Sequence, residues 1–213
     1  MNIIHDHHYD IEAIKEALWA KYQSSKFELD RHEKRFNHSQ MVAKKAVELA
    51  QMYAPECDLN KVEATGLLHD YAKFVELPEF EAVLKEYHQD VSILNNSFKI
   101  LHSLVGPYVI KHDLGITDEE LLYAVETHTI GASDMSKLGE LIYLADFIED
   151  SRPVKLNDNN IDIFGMTREV ARTDFYKAIA YKTEFNMANL IKKHVPIQDN
   201  TLATYVKYRD YLK

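Results

Sequence analysis

The chain has 213 residues, 46% of them hydrophobic and 28% charged, the balance of a folded globular domain with enough length for a real core. A formal net charge of −9 and a pI near 5.6 argue against sequence-independent binding to nucleic acid, although a local basic pocket for phosphate remains open. No apolar run approaches ~20 residues, so no membrane span is expected. The single cysteine, Cys57, cannot close an internal disulfide and fits a reducing cytoplasm.

The first ten residues are polar and histidine-rich, unlike a signal peptide. His5, His7 and His8 read as a mobile terminus rather than a structured metal tract. Ile11, Ile14, Ala17, Leu18 and Tyr22 then follow the spacing of a first helix. A second carries His38, Val42, Ala46, Leu49 and Tyr53 on one face, with Asn37 as its expected N-cap and Pro55 just beyond. Asn60 and Glu63 form a capping-box pattern that opens a third. The inner stripe of that third helix runs through Val62, Thr65, Gly66, His69, Asp70 and Lys73. A short helix is expected over Glu79 to Tyr87, then one from about Ser97 to Leu114 bearing His102, with Gly115 as its stop. Pro107 must start the regular part of that segment or kink it. Thr117 and Glu120 suggest another capping box, leading to Leu121, Ala124, Val125 and His128 and ending at Gly131. Leu138, Ile142, Ala145, Asp146 and Glu149 form the next stripe. Val154 to Gly165 reads as a polar loop, Thr167 to His194 as helix broken near Asp174, and the tail after Pro196 as a last helix. No strand pattern, repeat or linker stands out, so the expected fold is all-α, a single-domain helical bundle.

Six polar residues fall on these inward stripes: His38, His69, Asp70, His102, His128 and Asp146. Any one alone could be a hydrogen-bonded core residue or half of a salt bridge. Together they need a shared partner, because an unpaired buried polar group costs ~1–3 kcal/mol. A metal is the simplest one. Imidazole and carboxylate without thiolate suit iron or manganese better than a structural zinc knot. Lys73 shares the face of His69 and Asp70. It either snorkels to solvent or meets an anion drawn in beside the metal. Thr129 can donate to a phosphate oxygen or cap the chain locally, and the Arg152 guanidinium can bind phosphate or sit exposed at a helix end. Glu119-Glu120 and Glu149-Asp150 read as helix capping and a solvated face. No Walker loop, G-x-G-x-x-G, H-E-x-x-H or nucleophile elbow occurs. A helical metal site with phosphate-friendly neighbours points to phosphoester hydrolysis.

The pattern His38…His69-Asp70…Asp146 resembles the ligand signature of the HD-domain metal-dependent phosphohydrolases. More narrowly, Arg35-Phe36-Asn37-His38-Ser39, Leu68-His69-Asp70-Tyr71-Ala72-Lys73, His128-Thr129-Ile130-Gly131 and Leu144-Ala145-Asp146 resemble the YqeK subfamily. So does the tail from Pro196 to Tyr205, and the likeness covers about Arg35 to Tyr205. It implies an HD-domain bundle over 30–213, with 1–29 as a longer helical extension. It also implies an iron-dependent symmetrical hydrolase of diadenosine tetraphosphate that releases two ADP. One or two iron ions are implied, with manganese or another divalent metal open.

Two forms of the site stay open. In one, His38, His69, Asp70 and Asp146 hold a first metal, Asp70, His102 and His128 a second, and a bridging hydroxide attacks phosphorus. In the other a single metal is held by the first four, and His102 and His128 bind phosphate. In both the metal would lower the pKa of water toward ~7. Asp70 and Lys73 are the expected catalytic residues. Lys73, Thr129 and Arg152 would neutralise phosphate charge, and Arg35 with Gln198, Asp199 and Thr201 would close over the nucleotide. Two departures stand out. Arg152-Pro153 and the 154–165 loop replace a shorter Arg-x-Phe-Pro-Gly stretch, and Pro107 replaces the small residue usual after Gly106. The expected partner is a dinucleoside polyphosphate or ADP-like nucleotide, with no nucleic acid and no membrane, and a homodimer is left open. The alternatives are a 5′-nucleotidase of the same superfamily and a non-catalytic nucleotide sensor.

Overall fold

A computed structural model describes residues 3–5, 8–157 and 160–213, so His7 lies outside the described residues. The helical periodicity is realised as eleven α-helices among them. In chain order these are α1 (Ile11–Gln23), α2 (Leu29–Tyr53), α3 (Leu59–Leu68), α4 (Leu77–Glu86), α5 (Phe98–Leu104) and α6 (Gly106–Leu114). They continue as α7 (Glu119–Thr127), α8 (Lys137–Ile148), α9 (Ile163–Ala171), α10 (Phe175–Lys192) and α11 (Asp199–Tyr208). Short 3-10 turns cover Val91–Asn95 and Arg209–Leu212. No described helix is long and apolar enough to cross a membrane.

The expected mobile terminus differs in the structure. Two-residue strands, β1 (Ile4–His5) and β2 (His8–Tyr9), pair antiparallel. Ile3 and Tyr9 are buried, and Asn60 accepts from the Tyr9 amide and donates to its carbonyl. Two apolar anchors and a backbone-mimicking amide outweigh the polarity of the segment. Asn60 is therefore engaged here rather than as a cap, and Asp58 caps α3. Asp118, not Thr117, likewise caps α7. Asn37 lies inside α2, which starts two turns earlier than expected, after Glu28. In each case local propensity marked the neighbourhood of a helix start and tertiary packing chose the residue.

Other punctuation falls as expected. Gly115 stops α6 at φ 66°, and Asp174 caps α10. Pro107 sits in the first turn of α6, where its missing N–H costs no hydrogen bond. Cys57 is half-buried in the turn between α2 and α3.

Two helix crossings place the site. Gly66 lies so close to α2 that a Cβ there would meet the Ala43 Cα at 2.5 Å. That contact brings the end of α3 against the middle of α2. α7 and α2 each pack on α8. α1 completes the wall: Ile14, Leu18 and Tyr22 are wholly buried in the core shared with α3. The Tyr22 hydroxyl donates to the backbone carbonyl of Asp70 at 3.1 Å.

Candidate metal centre

His38 projects from mid-α2, His102 from α5 and Asp146 from α8. The His69-Asp70 doublet is not inside a helix as the stripe implied. α3 ends at Leu68, His69 is its C-cap, and Asp70 opens a run of tight turns through Lys73. His128 caps α7 in the same way. In both caps the imidazole Nδ1 donates back to a carbonyl three residues earlier, to Gly66 at 2.7 Å and to Val125 at 2.6 Å. The last carbonyls of a helix lack intrahelical partners, so each ring satisfies one. The bond also fixes the tautomer and leaves the Nε2 lone pair free to face the site. His38 is set by a different device: its Nδ1 lies 3.1 Å from Glu149 Oε1.

Asp70 is the hub. Its Oδ2 lies 3.4 Å from His69 Nε2 and 3.7 Å from His38 Nε2, and accepts from Arg35 Nη1 at 2.6 Å. Its Oδ1 faces the other way, 3.0 Å from His102 Nε2, 3.6 Å from His128 Nε2 and 3.4 Å from Lys73 Nζ. Asp146 Oδ1 approaches His38 Nε2 at 3.2 Å and His69 Nε2 at 3.9 Å. Two sets of donor atoms lie within 4.8 Å of one another: His38, His69 and Asp146, and His69, Asp70 and His128.

The residues fit a divalent cation. His38 Nε2 and His69 Nε2 are buried without a hydrogen-bond partner among the described residues, and both aim at carboxylate oxygens. A lone pair left buried in this way is costly unless something electrophilic meets it. His102 is different. It is its Nδ1 that lacks a partner, while its Nε2 faces Asp70 Oδ1 at 3.0 Å.

Electrostatics follow from burial and crowding. Burial alone would raise the Asp70 carboxyl, but Lys73, His69, Arg35 and His102 hold it well below the usual carboxylate range. Burial would likewise raise Asp146, against which Arg152, His38 and Lys182 hold it well below. Burial pushes His102 down to about 4 despite Asp70, and lowers His128. Burial would lower His38 too, yet Asp146 and Glu149 raise it. At neutral pH His102 and His128 are therefore uncharged, as metal coordination requires.

The remaining expected residues sort by position. Lys73 Nζ lies 3.0 Å from His102 Nε2. Thr129 Oγ1 lies 3.0 Å from His128 Nε2 and 3.4 Å from His102 Nε2. Arg152 donates to Asp146 Oδ1 at 2.6 Å and to its backbone carbonyl, so it is tied to the site rather than exposed at a helix end. Gln198 stands at the N-cap position of α11, where its side chain donates to Asn96 at 3.2 Å instead of capping, Asp199 is exposed and Thr201 is buried. Among the described residues no hydrogen bond or ion pair joins these three to the histidines. Their helix, α11, reaches the His128 segment through packing instead. Gly131, at φ 75°, lies against Thr204 so closely that a Cβ would meet its Oγ1 at 2.5 Å.

Glu149 corrects the sequence reading. It is 1% exposed rather than solvated, and accepts from the Ser151 amide at 2.6 Å besides contacting His38. Its spacing of three from Asp146 was the available signal. Such carboxylate–histidine partners orient a ligand and raise its basicity. Glu149→Ala is expected to weaken divalent-metal binding about 10–100-fold. Titration of the variant with Mn2+ checks this, and unchanged affinity would contradict it. Asp150 pairs instead with Lys45 at 3.0 Å. Glu119 and Glu120 pair with Lys111 and Lys61 on the surface.

A cleft of about 440 Å³ opens beside His38 and Glu149, and Arg31, Lys34, Arg35, Phe74 and Arg152 line it. Four cations on one rim form the local basic pocket that the acidic overall charge left open.

The HD domain family matches residues 35–150. A Staphylococcus aureus protein named bis(5'-nucleosyl)-tetraphosphatase, symmetrical, is 34% identical over 84% of this chain and 89% of its own length. A Halalkalibacterium halodurans protein of the same name is 35% identical over 81% and 88% respectively. A crystal structure from Clostridium acetobutylicum, described as a predicted HD superfamily hydrolase involved in NAD metabolism, superposes with a TM-score of 0.78 at 27% identity. It covers 95% of this chain and 98% of that one. A helical bundle with histidines and aspartates converging from five segments is the architecture of an HD-domain hydrolase. The chain belongs to that family and, within it, to the YqeK-type branch that includes these symmetrical tetraphosphatases.

Proposed function

We propose that this protein hydrolyses diadenosine tetraphosphate symmetrically to two ADP, using one or two divalent metal ions, with iron as the preferred metal. The observation that carries the reading is Asp70, whose two oxygens face two different groups of histidines. Over 80% of the chain aligns with proteins named for this activity, which does not favour the mononucleotidase and sensor alternatives.

His38, His69, Asp70 and Asp146 would hold a metal, and His128 with Asp70 Oδ1 would hold a second. A bound divalent metal supplies a water of lowered pKa and polarises the phosphoryl oxygen. The side chains do the rest. Asp70 stands between the two groups of histidines and pairs with the Lys73 amine at 3.4 Å. Lys73 and Thr129 meet the oxygens of the transferred phosphate, and Arg152 meets charge on the leaving side. His102, whose Nδ1 has no partner, would serve as a donor to phosphate rather than as a ligand. Arg35 and the cationic rim hold the polyphosphate, with Arg31 stacked 4.0 Å from the Phe27 ring.

The test is a product analysis with the metal-loaded protein. ADP is expected as the sole nucleotide product of diadenosine tetraphosphate, with turnover abolished by a chelator and restored by iron(II) or Mn2+. Release of ATP and AMP would overturn the symmetrical reading.

A further inference from the structure

Lys182 on α10 has no part in the chemistry above, yet it is 2% exposed. Its neighbours in sequence on that face, Ala178, Ile179 and Thr183, are core residues. Lysine is almost never found this deep unless its amine is partnered. The Nζ donates to the Tyr143 carbonyl and, at 3.4 Å, to the His128 carbonyl. It also lies 3.5 Å from the centre of the Tyr143 ring and 3.9 Å from Asp146 Oδ2. These contacts join two segments that carry site residues. His128 ends α7, while Tyr143 lies one turn before Asp146 on α8. The opposite oxygen, Asp146 Oδ1, faces His38 and His69. The carboxylate is thus engaged on both sides, by Arg152 and the imidazoles through Oδ1 and by Lys182 through Oδ2.

We propose that Lys182 is a positioning residue for the metal centre: it ties the end of α7 to α8 and occupies Asp146 Oδ2, so that Oδ1 is the oxygen presented to His38 and His69. The inference rests on reading the cluster as the metal centre of a hydrolase. Three features support it independently. The amine bridges backbone carbonyls of two different helices, which a core-filling side chain would not need. Its partners are the two segments whose separation sets the spacing of His128 and Asp146. The side chain enters from α10, an element that supplies no candidate ligand, so it can hold the ligands without competing as one. Outer partners of ligating carboxylates commonly control metal affinity in this way.

The test uses the full chain with Lys182→Met and Lys182→Gln. Methionine is unbranched, ends one bond nearer the backbone and removes every side-chain N–H. Glutamine keeps a donor but ends one bond nearer the backbone, so it cannot span all three groups. Helical content by circular dichroism establishes that each variant is folded. Mn2+ affinity is then measured by titration, and kcat and KM with diadenosine tetraphosphate at saturating Mn2+. Lys182→Met is expected to weaken Mn2+ binding about tenfold or more, and Lys182→Gln about threefold or more, with kcat falling while KM stays within about threefold. Affinity within about twofold of wild type in a folded variant would overturn the proposal. Tighter binding would also overturn it, by showing Lys182 to be only a repelling charge. If methionine prevents folding, the glutamine variant decides alone by the same criterion. Wild-type protein that binds Mn2+ but leaves the dinucleotide intact would count against the proposed activity and not against the role of Lys182, which the metal titration reads separately.

Discussion

Asp70→Ala is expected to lower turnover of diadenosine tetraphosphate by about three orders of magnitude or more, a loss of ~4 kcal/mol in transition-state stabilisation. Metal binding should fall with it. Each Asp70 oxygen serves a different group, Oδ2 with His38 and His69 and Oδ1 with His102 and His128, so one substitution strips both halves of the site. The fold should survive. The two cations that Asp70 neutralises, Arg35 and Lys73, have side chains 30% and 27% exposed and can turn to water when the carboxylate is gone. Metal per chain, steady-state rate and thermal unfolding of the purified variant check the three parts. A variant that keeps its metal and more than about a tenth of its rate would refute the hub assignment.

The second large effect concerns pH. The metal-free protein is expected to lose ~3 kcal/mol of stability through His102 alone as pH falls from 6.5 to 4. Burial lowers this imidazole from 6.5 to about 4 in the folded state. Within that window the unfolded chain takes up a proton that the folded chain refuses, so acidification favours unfolding. His128, also lowered by burial, adds in the same direction. His38 opposes them. Its pKa is raised, so its contribution is complete below its unfolded value and is lost as pH rises through the folded one. Asp70 and Asp146, held well below 3.8, contribute fully above about pH 4 and lose that contribution only on further acidification. Urea unfolding of metal-free wild type and His102→Gln at the two pH values isolates the His102 share. The wild type should lose ~3 kcal/mol more than the variant, and equal losses would contradict the assignment.

Much of the site was readable from residue order because its members obey helical periodicity. His38, His102 and Asp146 lie on inward stripes of real helices, and Lys73 follows Asp70 closely enough to share its surroundings whether the segment is helix or turn. The helix caps were less legible. Asn37, Asn60 and Thr117 all have cap chemistry, but Glu28, Asp58 and Asp118 hold the cap positions. A cap is worth about 1 kcal/mol, less than the packing that decides where a helix begins.

The tail motif shows the same division. Gln198, Asp199 and Thr201 could be named as a group, yet only the fold reveals that α11 meets the His128 segment through Thr204 and Gly131. Glu149 falls on the stripe of Asp146 yet reads as solvated, and Lys182 does not stand out in the sequence, because side-chain type alone does not distinguish a buried charge from a solvated one. Their partners, His38 for one and His128 and Tyr143 for the other, lie far away in sequence.

Residue order by itself determined the all-α architecture, the donor types and their rough register, since these follow from periodicity and side-chain chemistry. The tertiary structure alone decided which nitrogen of each histidine faces the site, because that depends on what its other nitrogen touches. It alone divided the two oxygens of Asp70 between two groups of histidines. It also brought α10, with Lys182, behind Asp146, because burial converts distant charges into obligatory partners.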